Sequence, residues 1–122
     1  MKDAAADGGG DGPERLLETV LDALRVGAEA GADALFDALT PRARAPIGDV
    51  DALRRALGNP LMAPLIAPTR ATVDVWDRRA AAARTTVAVD GPNGAARYLV
   101  SARRGVDGWR LTGLRRDDLP AG

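Results

Sequence analysis

Apolar residues recur at helical spacing through the first half of the chain and alternate with polar ones through the second. Leu17, Val20, Leu21, Leu24 and Ala28 form one stripe, which predicts an amphipathic helix over about residues 12–30. Asp11-Gly12-Pro13-Glu14 reads as its start. Asp11 can accept from the Glu14 amide while Glu14 reaches back, and Pro13 falls in the first turn, where its missing amide costs little. Gly27 and Gly31 weaken the end of this helix. A short second helix is expected over about 32–39, with Leu35, Phe36 and Leu39 inward, and Pro41 ends it. A loop covers 40–48. Asp49 then caps a third helix over about 50–57, with Val50, Leu53 and Leu57 inside and Gly58 as its stop.

Residues 59–68 are apolar but carry three prolines, at 60, 64 and 68. Prolines at that density exclude a long helix or a central strand. This segment reads as a buried connection with one helical turn at most. Four strands are expected beyond it, over about 70–78, 83–90, 96–103 and 109–116. Gly91-Pro92-Asn93-Gly94 and Gly105-Val106-Asp107-Gly108 supply the residues that positive backbone angles require in hairpin turns.

Four-residue loops at both turns pair Asp90 with Ala95 and Arg104 with Trp109. Thr85, Val87, Val89, Ala96, Tyr98, Val100, Ala102, Trp109, Leu111 and Gly113 then share one face, the apolar one. The opposite face is mixed, and strict alternation places Leu99 and Leu114 opposite each other on it. The first strand has two phases. A tight turn at Ala80-Ala81 puts Asp74 and Trp76 inward, and one extra loop residue puts Val73 and Val75 there instead.

Helices followed by an antiparallel meander make a segregated α+β domain, with the helical stripes covering the apolar face of a four-stranded sheet. At 122 residues the chain forms one domain over 11–118, with a disordered tail at 1–10 and a short tail at 119–122. The absence of cysteine removes disulfides, thiolate metal sites and cysteine nucleophiles. The absence of histidine removes the commonest general base and metal ligand. No metal site, catalytic group or cofactor motif is read from this chain. No apolar run reaches the length of a membrane span, no signal-peptide core follows Met1, and the expected location is the cytoplasm.

Net charge is zero but unevenly spread. Residues 1–37 hold three basic and nine acidic side chains, and residues 38–122 hold fourteen and eight. Three arginine pairs, Arg78-Arg79, Arg103-Arg104 and Arg115-Arg116, fall at strand ends. Gathered together they would make a phosphate-binding patch; straddling the pleat they would point to opposite sides. No aromatic platform accompanies them, which disfavours nucleic acid as partner.

The order of helices, the proline-rich link and the meander ending in Asp107-Gly108-Trp109-Arg110-Leu111 resembles the nuclear transport factor 2-like superfamily, also called cystatin-like α+β. Asn59-Pro60-Leu61-Met62-Ala63-Pro64-Leu65-Ile66 resembles the same segment in small bacterial and plant members of unknown function. The resemblance covers about residues 13–117. It implies a sheet curved into a cone, with a pocket at its open end. Enzymes of the superfamily use Asp with His or Tyr in the cone, and no catalytic residue carries over to this chain.

Three functional readings follow. The first is a non-enzymatic small-ligand or protein-interaction module. In it a pocket lined by Asp74, Trp76, Tyr98, Trp109 and Leu111 takes a small apolar ligand, and a homodimer forms through Leu99 and Leu114. The second is an isomerase- or cyclase-like enzyme, with Asp74 as base and Tyr98 as donor. The third is weak nucleic-acid binding through the arginine pairs. The bland reading of the aromatics stands beside them: Tyr98, Trp76 and Trp109 are three of only four aromatic side chains and are natural core fillers.

Overall fold

A computed structural model describes residues 12–117 of the chain. The expected tails, the Asp11 cap and the outermost residue at each end of the 11–118 domain lie outside the described residues. Among the described residues, five helical segments precede five strands. These are α1 (Pro13–Val26), α2 (Ala28–Ala38), α3 (Pro41–Arg44), α4 (Val50–Leu57) and a 3-10 turn (Ala63–Leu65), then β1 (Arg70–Val73), β2 (Asp77–Arg79), β3 (Ala82–Gly91), β4 (Gly94–Gly105) and β5 (Gly108–Arg116). The strands form one open antiparallel sheet in the order β1-β3-β4-β5, with β2 also paired to β3. The architecture is therefore α+β. No helix among the described residues is long and apolar enough to cross a membrane.

The expected first helix is two helices. The chain breaks at Gly27, whose φ of 157° and ψ of −179° lie in a region that side chains other than glycine rarely enter. Gly31, expected to weaken a helix end, instead lies buried within α2. A Cβ there would overlap the Leu24 side chain and come within 3.1 Å of the Leu24 Cα. The missing side chain is what lets α2 pack closely on α1. Leu17, Val20, Leu21 and Leu24 of α1 and Leu35 and Leu39 at α2 are buried as the stripes predict, while Ala28 and Phe36 are half-buried, and Ala32 and Ala38 of α2 are buried besides.

The 40–48 loop contains one turn that the sequence reading did not anticipate. Thr40 caps α3 by accepting from the Ala43 amide at 3.1 Å, and Pro41 occupies its first turn. Pro41 therefore opens this turn after Leu39 has closed the previous helix. Helix α4 matches expectation, with Asp49 accepting from the Ala52 amide at 2.8 Å and Gly58 at its end. The proline-rich link is buried at Pro64, Leu65 and Pro68 and contains the one expected turn.

Both hairpins have the expected register, Asp90 with Ala95 and Arg104 with Trp109. Each closes further to a glycine pair, Gly91 with Gly94 and Gly105 with Gly108. Gly94 and Gly108 take φ of 113° and 94°, which explains glycine at the second flank of each turn.

Two irregularities change which side chains face the core. In β5, Ala102 pairs with Leu111 but Ser101 pairs with Gly113, so Thr112 is an extra residue. Beyond it the phase flips. Leu114 pairs with Val100 and packs against the core, while Leu99 pairs with Arg115. The Leu99–Leu114 pair expected on the outer face is not formed, and Gly113 is not on the core side. The sequence carries the cue. Strict alternation would have buried a glycine and exposed a leucine, and one bulge exchanges them.

The first strand contains the second irregularity. Val73 pairs with Val87 and Asp77 with Arg84, so between these pairs Asp74, Val75 and Trp76 on one strand face Thr85 and Thr86 on the other. Neither expected phase holds throughout. Ala71 and Val73 share the side of Val89 and Val87, while past the irregularity Arg78 lies opposite buried Ala83. Trp76 is half-buried against the core, and Val75 is 94% exposed.

Candidate functional site

The interior is filled. Leu17, Leu24, Leu35, Leu65, Val87, Val100 and Leu111 surround a residual void of about 10 Å³. That is at the lower limit for a single water, roughly 10–15 Å³. Leu111 is fully buried beside it. Tyr98 is also fully buried, and its hydroxyl donates to the Leu61 carbonyl at 2.6 Å. Arg116, opposite Tyr98 in the ladder, stacks over its ring at 5.8 Å and donates to the same carbonyl at 3.2 Å. These contacts clamp the proline-rich link to the sheet.

Asp74 is exposed and turned toward the other side of the sheet. Its carboxylate accepts from the Thr86 hydroxyl at 2.6 Å, and its carbonyl accepts from the buried Thr85 hydroxyl at 2.8 Å. Both groups anchor the irregularity after β1. Of the five expected pocket residues, only Asp74 and Trp76 line a common groove. It lies between α1 and the β1–β2 edge, with a volume of about 770 Å³. The Trp76 Nε1 is buried with no hydrogen-bond partner among the described residues. Trp109, Leu111 and Tyr98 line neither this groove nor the one described next.

Glu14 lies at the rim of the α1 groove and forms an ion pair with Arg78. Arg78 also stacks over Trp109 at 5.8 Å. The Arg78 hydrogen bond holds the Glu14 carboxyl below its ordinary value of 4.5. A depressed carboxylate contributes stability above the unfolded-state pKa and loses it as pH falls through the folded one. Glu14→Gln should therefore be slightly less stable than the parent at pH 7. The difference should vanish below pH 4.5 as Glu14 is protonated. Urea melts at a series of pH values read this directly, and because half the side chain is exposed the effect is small and salt-sensitive.

A larger groove, about 980 Å³, runs between the 39–47 segment and the end of the sheet formed by β2, β3, β4 and β5. One wall is fixed by two arginines that serve the C-terminus of α2. Arg44 donates to the Phe36 and Asp37 carbonyls at 2.8 and 2.9 Å, and Arg110 of β5 donates to the Asp37 carbonyl. Such contacts satisfy helix-end carbonyls and oppose the negative end of the dipole. The chain then joins the edge of β5, where the Thr40 amide donates to the Leu111 carbonyl at 3.0 Å. Leu39, Ala43, Ile47, Ala83, Ala102 and Leu114 give the groove an apolar lining. Arg42, Arg79, Arg84 and Arg103 surround it, with Asp77 as the one acid among the described residues.

The three arginine pairs do not gather. Arg78 turns to Glu14 while Arg79 lines the large groove. Arg103 joins Arg79 there, and Arg116 is committed to Tyr98 and Leu61 at a distance along β5. The groove escaped the sequence reading because the bulge at Thr112 and the turn at α3 both shape it. The run of alanines from Ala80 to Ala83 between Arg79 and Arg84, with Ala102 beside Arg103, was the available signal.

No protein-family model and no curated protein matches the chain. Among solved structures it is similar to a SEC-C motif containing protein from Rhodopseudomonas palustris, determined in solution. The TM-score is 0.63 at 14% identity, over 88% of this chain and 80% of that one. At that identity the likeness shows the fold alone.

Proposed function

We propose that this domain is a non-catalytic small-ligand-binding module of the nuclear transport factor 2-like, cystatin-like type. Its site is the groove between the 39–47 segment and the sheet end. One observation carries the reading: the space under the sheet is filled to a void of about 10 Å³, while an apolar-lined groove of about 980 Å³ opens beside it. A groove of that size falls in the range of small-molecule sites, roughly 300–1,000 Å³. Element order supports the superfamily, and the bulges in β5 and after β1 are devices that bend a sheet toward a cone. Asp74 and Tyr98 are spent on Thr86 and Leu61, so nothing favours the isomerase-like reading. The apolar pair that motivated a homodimer is dissolved by the bulge.

Gly113 supplies the test. It lines the groove, and a Cβ on it would meet nothing within 4 Å. Gly113→Phe should fold normally and occupy the groove. N-Phenyl-1-naphthylamine, a neutral apolar fluorophore, is expected to bind the parent and to lose about tenfold or more in affinity to the variant, a change of about 1.4 kcal/mol. Unchanged affinity in a variant with the parental circular dichroism would place the probe elsewhere and end the reading.

A further inference from the structure

We propose that the ligand of this groove is a small organic anion, one carboxylate, sulfonate or phosphate head on an apolar body. The inference rests on the groove being the binding site and adds the chemistry of what it holds.

The ladder registers assemble the head-group site. Arg79 lies opposite Ala82, and Ala82 lies opposite Arg103. In the next row Asp77 lies opposite Arg84, and Arg84 opposite Ser101. Arg79, Arg84 and Arg103 therefore leave one face of three adjacent strands, around the small side chains of Ala82 and Ser101. Diagonal neighbours of this kind are about 7–8 Å apart at the backbone, within reach of long side chains. Arg42 approaches from the facing wall.

Like charges gathered on adjacent strands are unfavourable unless something opposes them. Little does. Asp77 reaches the Arg79 Nε at 3.6 Å. The guanidinium groups of Arg42, Arg84 and Arg103 have no hydrogen bond or ion pair among the described residues. Arg110 shows the contrast: it lies opposite Arg103 but is spent on the Asp37 carbonyl. Guanidinium forks rising from one face around a small-residue floor can match the planar or tetrahedral oxygens of an anionic head. The Ser101 hydroxyl adds a further donor.

The rest of the lining sets the remainder of the ligand. Leu39, Ile47 and Leu114 also line the groove and would cover an apolar body. The groove has no aromatic side chain, so it lacks the stacking platform that single-stranded nucleic acid uses. Its volume suits one small molecule.

The test compares two probes with one ring system. 1-Anilinonaphthalene-8-sulfonate carries a sulfonate, and N-phenyl-1-naphthylamine does not. At low salt the sulfonate should bind the parent about tenfold more tightly. Arg84→Ala with Arg103→Ala should abolish that preference, so that the sulfonate loses about tenfold more affinity than the neutral probe does. Arg97→Ala, outside the groove, should keep the preference. Circular dichroism confirms that each variant is folded. Equal affinities in the parent, or a preference that survives loss of Arg84 and Arg103, would overturn the anion assignment. If the neutral probe still binds and still responds to Gly113→Phe, the groove reading stands without it. If neither probe binds, both fail. Phosphatidylglycerol vesicles separate a free anion from a lipid head group. The free-ligand assignment expects no co-sedimentation, and co-sedimentation lost with Arg84 and Arg103 would overturn it in favour of a membrane surface.

Discussion

Leu24→Ala should lower the stability of the domain by about 2–5 kcal/mol, the range for truncating a buried leucine. Leu24 is 1% exposed and lies where α1 meets α2. Its carbonyl also receives the Ala67 amide at 2.8 Å, which ties the proline-rich link to the same turn. Truncation leaves a cavity bordered by the closely packed Gly31. Gly31→Ala alone should also destabilise, although alanine is the better helix former by about 1 kcal/mol. The added methyl overlaps the Leu24 side chain, and overpacking of this kind costs about 1–3 kcal/mol. In Leu24→Ala/Gly31→Ala the new methyl enters space that the leucine vacated. The combined loss should be smaller than the sum of the two single losses, with relief kept partial by the 3.1 Å approach to the Leu24 Cα. Urea titrations of the four proteins give the coupling. Strict additivity would mean that the two helices separate freely and that Gly31 has no packing role.

The same pair of residues shows how far sequence reasoning reached. The stripe on α1 was legible because helical periodicity is a local property, and every stripe residue from Leu17 to Leu24 is buried. Which glycine breaks the helix was not legible. Gly27 and Gly31 are four apart and look alike along the chain. Only the neighbour each one meets distinguishes them: open space at Gly27 and Leu24 at Gly31. The hairpin registers were legible for a similar reason, since turn residues fix them locally. The two bulges were not. They are set by which side chain fits beneath α1, a long-range matter, although the Leu111-Thr112-Gly113-Leu114 order did signal a break in alternation.

The candidate site follows this division. Its arginines were singled out in the sequence, but as adjacent pairs. Adjacent residues of a strand point to opposite faces, so the pairs were the wrong unit. Arg78 and Arg79 separate in this way, one to Glu14 and one to the groove. The cluster that forms draws single members from three strands, and it can be seen only after the ladders are known. The groove's other wall depends on α3, a turn too short to show periodicity. The expected interior pocket failed for a packing reason: its proposed lining, Tyr98 and Leu111, is the filling of the core.

Tyr98 offers the clearest separation of a structural role from a chemical one. Tyr98→Ala should cost about 3–5 kcal/mol, the range for removing a large buried aromatic side chain. It deletes a fully buried ring that lies opposite Val87 and beneath Arg116, together with the bond to the Leu61 carbonyl. Tyr98→Phe keeps the ring and removes the hydroxyl that donates to the Leu61 carbonyl. Its cost should be about 0.5–1.5 kcal/mol. It should lie at the low end, because Arg116 still donates to the same carbonyl. Adding Arg116→Ala to Tyr98→Phe removes both donors to Leu61 and should cost more than the two single changes together. Amide exchange over residues 61–66 would then quicken as the link loosens, while the β3–β4 ladder stays protected. Neither change should alter the binding of either naphthyl probe, since Tyr98 and Arg116 line no part of the groove. A Tyr98→Phe protein with parental stability and lost probe binding would reverse the assignment and return Tyr98 to the ligand site.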